Sequence, residues 1–579
     1  MLWFKRNKMI LAAPTILVVM AGGWLYANRP KRIDMAAYVP GAALAFLEIN
    51  DWPQVLDQLT STTTWRELAP RYGISDKLMH AGRVGWLAKF GGGGEAGLLA
   101  RSQFALVVTG LEVRGDEVKP HLALIAETHT NADTLQKVAE ARLPKFAENA
   151  FGKIVKATTE HSGVKITSYR AARSNRGLHS AQIDSELILA NEVDALVACI
   201  DTRLARASSM MNNFYLQNSR PIVERDGSSF GFVTGEGVTR FLRFGAYLIS
   251  GGVIGKAALA GAVGEVFTEF STRTSDGIAY GASFENGEAV DRYALLFKPE
   301  LVDKLKATIK PSGKEARAFG TIPVEARNVT LISVENPIKT LDGIEAAISS
   351  RVGAAQSFLL HQFVIGAREV FFGLGNGSKA EDAIGDEIAS FDLGPRGAAR
   401  VKKEESPRRV WMVAARNPTL MLAIVQRAMM ANRATLIREK HRGIEILSSG
   451  DATRGSAAIM DDFLILGRYE RLTQIIDLLA SGQNLKNAPH FVAAGKFNEP
   501  AAIKSYDWAE GETAEMMATI ASWLNENGKT DVIRTRGESV PLAVSATRVI
   551  DQGILVESHS PFGNIPSVVS LVAEATNAK

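Results

Sequence analysis

Short runs of alternating apolar and polar residues recur along most of the chain, each followed by a turn signal and often by a stretch of helical period. From Val39, VPGAALAFLEINDWPQVLDQL reads as proline, strand, turn and helix; from Ile322, IPVEARNVTLISVENPIKTLDGI repeats that order, with Pro323 answering Pro40. QFALVVTGLE from Gln103 answers EIASFDLGPR from Glu387, and HLALIAETHTNADTLQKV from His121 answers VWMVAARNPTLMLAIVQR from Val410. HSGVKI from His161 answers HRGIEI from His441, and AQIDSELILANEVDAL from Ala181 aligns without a gap to AAIMDDFLILGRYERL from Ala457. Each half closes on a strand and a helix, with Val290 to Phe297 in the first corresponding to Gln552 to His559 in the second, which Ile565 to Val572 follows. Collinear matches of this kind point to one module present twice.

These runs predict an α+β fold: an N-terminal transmembrane helix, then two tandem homologous modules of mostly antiparallel sheet with helices packed on one face. Hairpins such as Gln103 to Val113 with Val118 to Glu127 carry that expectation. The expected boundaries are 1–34 for tail, anchor and short linker, 35–309 for the first module, 310–320 for a linker and 321–579 for the second module. KPSGKEARAFG, Lys310 to Gly320, has the proline, glycine and charge of a linker. Phe244 to Phe267 is small and apolar; its six glycines, with Lys256 and Glu265, favour a packed helix over a second membrane span.

Met9 to Ala27 holds nineteen residues without a charge, enough at about 1.5 Å per residue to cross a hydrocarbon core of roughly 30 Å. Lys5, Arg6 and Lys8 before it balance Arg29, Lys31 and Arg32 after it, so flanking charge does not orient the segment. The very short cationic tail resembles the start of a signal sequence, which places the body outside the cytoplasm. The apolar stretch exceeds a usual signal core, so an uncleaved anchor is expected over cleavage after Gly23.

Length and charge narrow the partners. At 579 residues the chain exceeds what one core organises, and 46% hydrophobic with 22% charged residues is ordinary for a folded protein. Lys and Arg exceed Asp and Glu by only 66 to 62, too dilute an excess for nucleic acid. The single cysteine, Cys199, follows Val193, Leu196 and Val197 in helical spacing and reads as a core thiol.

Candidate chemistries fail on local context. Ser229 lies in Gly227-Ser228-Ser229-Phe230-Gly231, which fits G-x-S-x-G, but a polar loop precedes it and a strand follows, the reverse of a nucleophile elbow. Ser162 and Lys165 match S-x-x-K across a strand, where residues three apart face opposite ways. Gly92, Gly94 and Gly97 follow an expected helix, Lys77 to Lys89, and the second half has Gly373, Gly375 and Gly377 at a similar place, so a structural glycine loop is expected over a phosphate cradle. Gly255-Lys256 and Gly528-Lys529 lack the glycine a phosphate loop needs five residues earlier. Glu127 and His129, with Asp133 nearby, offer two metal ligands, but the aligned Arg416 and Pro418 do not, and a surface pair is expected. Arg114-Gly115-Asp116 reads as a hairpin turn. Arg396, Arg400, Lys402, Lys403, Arg408 and Arg409, against Glu404 and Glu405, make the loop from Arg396 to Arg409 the best local candidate for an anionic partner such as lipid headgroups or envelope polymers, but a solvated loop is expected over such a site. No residue is assigned a catalytic, cofactor-binding or metal role, and no cofactor is expected.

YVPGAALAFLEIN, QFALVVTGLE and the unit ending LILANEVDAL together resemble a family of bacterial membrane-anchored extracytoplasmic proteins of uncharacterised activity with a duplicated α+β body. The resemblance implies no catalytic residues. The sequence reading is a single-pass protein of the inner membrane, held through residues 9–27, whose periplasmic body binds or scaffolds an envelope protein or anionic envelope component. The alternatives are an anchored envelope hydrolase with a site assembled from distant residues, and a cytoplasm-facing regulator of a membrane complex.

Overall fold

The computed structural model describes residues 31–74, 94–114, 117–225, 229–252, 257–372, 380–393, 409–431, 435–449, 455–488, 491, 500–508, 510–524 and 542–577. The expected anchor, Met9 to Ala27, lies outside them, and among the described residues no helix is long and apolar enough to cross a membrane. The described body is α+β.

The first half supplies β1 (Ala45–Ile49), β2 (Gln103–Arg114), β3 (Glu117–Glu127), β4 (Ile154–His161), β5 (Val164–Ala171), β6 (Gly177–Ile183), β7 (Glu186–Ala190), β8 (Ser229–Thr234), β9 (Ser275–Glu285) and β10 (Glu288–Phe297). The second supplies β11 (Ala326–Ser333), β12 (Ile384–Leu393), β13 (Arg409–Ala415), β14 (Ile437–His441), β15 (Ile444–Ser448), β16 (Ser456–Met460), β17 (Phe463–Gly467), β18 (Ile503–Trp508), β19 (Leu542–Ile550) and β20 (Gly553–Ser560). The helices that matter below are α1 (Ala132–Phe151), α2 (Val193–Arg203), α3 (Gly235–Gly252), α4 (Ala257–Thr274), α5 (Pro418–Ala431) and α6 (Tyr469–Ala480). Their starts are chemically marked: Asn131 caps α1 by accepting the Thr134 N–H, and Asn417 accepts the Leu420 N–H ahead of Pro418.

Contacts group the chain into two compact units. One holds β1 to β7 and the opening residues of β8; the other holds 61–75, 218–226 and everything from Phe232 onward. In the first unit antiparallel ladders run β1-β2-β3-β7-β6-β5-β4, with β8 on the other side of β1. In the second, β11-β12-β13-β17-β16-β15-β14 repeat that order with β18 beside β11. The second unit continues through β19 and β20 to β10 and β9. The last hairpin of one half is therefore hydrogen-bonded to the last hairpin of the other.

The ladders correct three of the sequence matches; in the closing strands Glu288 and Gly553 each follow a two-residue turn, which moves the match of Val290–Phe297 to Gln552–His559 by three residues. β6 and β7 turn at Asp184-Ser185 and β16 and β17 at Asp461-Asp462, so Ala181, opposite Ile188, corresponds to Ala458, opposite Ile465, one residue beyond the gapless match to Ala457. The extra residue is absorbed before the helices, where Leu196 again matches the buried Leu472. On β3, Ile125 stands opposite Ala105 and corresponds to Met412 opposite Ala389, which moves that match by two residues. A one-residue slip turns every side chain of a strand to the other face, so apolar likeness alone cannot fix it.

Helices cover both faces of the second unit's sheet, against the expected single face. Met412 and Ile465 pack with Leu472, Ile475 and Ile476 of α6, whereas Val413 and Leu464 pack with Met421 and Val425 of α5. β12 is accordingly buried almost end to end, as a strand covered twice must be. The glycine-rich stretch Phe244 to Phe267 forms two packed helices, α3 and α4, in place of one. The expected linker 310–320 is fastened down: Ser312 N–H reaches Ser333 O (3.3 Å), Glu335 N–H reaches Lys310 O (2.9 Å), and Arg317–Gly320 forms a 3-10 turn.

Candidate functional site

Most of the sequence motifs resolve into structural roles. Ser229 opens β8, so it is a strand residue without an elbow's turn, while Gly227 and Ser228 lie outside the described residues. Cys199 is fully buried in α2, and burial with nearby Glu186 pushes its thiol up to about 12, far from the thiolate a nucleophile needs. Ser162 occupies a β4–β5 turn and accepts from Arg206, while Lys165 stands opposite Glu160 in the ladder. Arg114 stands opposite Glu117 at the end of the β2–β3 ladder, while Gly115 and Asp116 lie outside the described residues. Gly92, Gly255, Gly373, Gly375, Gly377, Gly528 and the helix expected over Lys77 to Lys89 lie outside the described residues, as does the basic loop except Arg409. That arginine bonds Ser390 (2.8 Å) and Asp392 (3.3 Å).

Glu127 and His129 are the exception, because Glu127 is buried and His129 half-buried where a surface pair was expected. The His129 N–H donates to Glu127 Oε1 (2.9 Å), and its Nε2 meets Gln103 Oε1 (3.0 Å). Burial lowers the His129 pKa, Glu127 raises it and Arg101 lowers it further, so the imidazole is neutral near pH 7. Asp133 instead sits in the first turn of α1. Among the described residues no group of three or more His, Cys, Asp and Glu could hold a metal ion.

The ladder sets Glu127 directly opposite Glu186, a buried pair of carboxylates that sequence reading missed. Arg203 of α2 donates to Glu186 Oε2 (2.8 Å) and lies 5.2 Å from the Tyr38 ring centroid. Burial pushes the Glu186 carboxyl up to about 7, with Arg203 pulling it down and Glu127 and Asp184 pushing it up. The legible signal was a glutamate at an inward position of an otherwise apolar strand, ELILA.

Gln103 and its counterpart Glu387 perform one task in the two halves. Gln103 accepts the Ile33 N–H and donates to Ile33 O, both at 2.8 Å, clamping the chain as it enters β1. Glu387 accepts the Arg317 N–H (3.0 Å) and the Ala318 N–H (2.8 Å), clamping the chain ahead of β11. Also paired are His161 with Asp201 (2.7 Å) and His441 with Asp477 (3.0 Å), which tie the β4–β5 and β14–β15 turns to α2 and α6.

Below the second clamp the strap 311–316 bounds a cleft of about 390 Å³. Its floor is Leu331 and Ser333 of β11 with Lys504 and Tyr506 of β18, residues that share a face at two-residue spacing. Phe319, Phe491 and Tyr506 form an aromatic cluster with ring centroids 4.5, 4.9 and 5.2 Å apart. Lys314 on the strap pairs with Asp386 (3.1 Å), and Lys486 beyond it pairs with Glu315 (2.9 Å). Burial, then Arg548, holds the Lys504 ammonium below its usual pKa. The arrangement offers cations around an aromatic surface, within the roughly 300–1,000 Å³ usual for small-molecule sites. Compared with protein-family models, curated proteins and solved structures, the chain has no match.

Proposed function

We propose that this chain is a membrane-anchored, extracytoplasmic binding or scaffolding protein of a bacterial cell envelope, one α+β module present twice, whose ligand site is the cleft under the strap 311–316. The cleft carries the reading: it is concave, lined by aromatic and cationic side chains and bounded by a clamped strap. The repeated ladder order, the Gln103 and Glu387 clamps and the two His–Asp pairs support descent of both halves from one module. The uncharged run Met9 to Ala27 and the resemblance of the YVPGAALAFLEIN and QFALVVTGLE segments support the anchor and location.

Two measurements test this. Fusions at the C-terminus to a reporter active only outside the cytoplasm and to one active only inside should give signal from the first; cytoplasmic signal overturns the location. Native mass spectrometry of the full chain purified from envelopes should show a retained small molecule that Ser312→Trp and Pro500→Trp, both filling the cleft, abolish. Identical spectra for wild type and both variants would remove the ligand site.

A further inference from the structure

The chemistry around the cleft narrows what it takes. Cationic side chains approach from three separate segments: Lys314 on the strap, Lys486 in the 3-10 turn Leu485–Asn487, and Lys504 on β18. Among the described residues the lining carries one carboxylate, Glu315, and it pairs with Lys486. Lys486 and its partner Glu315 are both more than half exposed, so that pair is weak and the Lys486 ammonium can turn to a bound anion at little cost, while Lys314 is exposed and shares the buried Asp386 with Arg317. Lys504 differs. It rises from the floor two residues from Tyr506, half-buried, with Arg548 as a cationic neighbour. An anion entering here would meet the Lys504 ammonium in a partly desolvated setting, where charge-assisted hydrogen bonds are stronger than at a surface. Beside it Phe319, Phe491 and Tyr506 give an apolar platform that a charged group alone would leave unused.

We propose that the cleft binds a small organic anion, with one carboxylate, sulfonate or phosphate group received by Lys504 and the rim lysines Lys314 and Lys486, and an aromatic or apolar body laid on Phe319, Phe491 and Tyr506. This rests on the reading of the cleft as a ligand site, and specifies its ligand class.

A matched probe pair separates the two claims: naphthalene-2-sulfonate and its neutral sulfonamide, titrated calorimetrically into the full chain in lipid nanodiscs with empty nanodiscs as blank. The sulfonate should bind about ten-fold tighter than the sulfonamide, and raising salt from about 50 to about 500 mM should weaken only the sulfonate. Lys504→Met keeps the apolar stem and removes the charge, and should bring the ratio of the two affinities down about five-fold while leaving the sulfonamide unchanged. Equal binding of both probes, or an unchanged ratio in Lys504→Met, overturns the anion class; the cleft survives as a ligand site if Ser312→Trp and Pro500→Trp still block both. Binding of neither probe, or binding untouched by both tryptophan variants, overturns the cleft itself.

Discussion

Two carboxylates, Glu186 and Glu557, sit in environments that drive their pKa values in opposite directions. Glu186 is held up at about 7 by burial, above its ordinary 4.5. As pH rises from about 4.5 to about 7 the unfolded chain gives up this proton first, so stability falls through that window, by on the order of 2–3 kcal/mol from this group. Glu186→Gln, which cannot ionise, should show a flatter urea-midpoint profile between those pH values; parallel profiles would show that burial does not perturb Glu186. Glu557 is drawn down to about 2 by hydrogen bonding to His559 against the cost of burial, with Arg292 assisting. Its contribution is fully present above about pH 4.5 and is lost as pH falls toward 2, again on the order of 2–3 kcal/mol. Glu557→Gln should therefore be the less stable protein at pH 7 and approach wild type near pH 2.

At the scale of elements, the hairpins and clamps do the positioning. The β4–β5 turn places Ser162 at φ 55° and Gly163 at φ 84°, and the β14–β15 turn places Arg442 at φ 48° and Gly443 at φ 87°. Two consecutive left-handed residues suit the twist of a tight hairpin, and glycine adopts the second position without a Cβ clash. Gly163→Ala and Gly443→Ala should each cost about 1–2 kcal/mol although no neighbouring atom would obstruct the new methyl. Equal stability to wild type in denaturant melts would refute that strain. Glu387 accepts two backbone N–H groups while almost fully buried, so Glu387→Ala leaves both donors without their carboxylate. Amide exchange at Arg317 and Ala318 should accelerate at least about ten-fold, corresponding to roughly 1.4 kcal/mol or more of local protection. Unchanged exchange would show that the strap over the cleft is held by other contacts.

At the scale of the molecule, the two halves meet through equivalent strands. β10 and β20 run antiparallel, and Arg292 and Glu557, each the fifth residue of its strand, stand directly opposite one another. Both hairpins turn over two residues, so these positions are each other's counterparts and lie on a local two-fold axis. Identical residues there would place like charges or like neutral groups face to face. Divergence of the halves instead allows Arg292 Nε to donate to Glu557 Oε2 (2.8 Å), with further bonds to Ser283 (3.1 Å) and Glu285 (2.9 Å). Removing one partner of so buried a pair strands the other, so Arg292→Met and Glu557→Leu should each cost about 3–5 kcal/mol in urea melts, and the double variant less than the sum. Strict additivity would show that the two side chains act independently.

The order of strands and helices and the kinship of the halves were legible because alternation, proline and turn residues act locally, and because repetition lets each half check the other. Pro40 and Pro323, the His161 and His441 turns and the Gln103–Glu387 match all came from that. Register was not legible: Ala457 and Ala458 are the same residue type, and only the partner strand decides which one joins the α6 side of the sheet and which the α5 side. The Glu127–Glu186 pair was hidden because burial belongs to no single residue; it arises when β3 and β7 pair side by side beneath α2. The cleft is likewise assembled from the strap, β11, β18 and Phe491, segments far apart in sequence whose lysines read individually as ordinary surface charge. Sequence thus determined the elements, through short-range conformational preference, whereas faces, joints and the cleft were decided by tertiary contact, because desolvation and charge pairing depend on which distant segments come together.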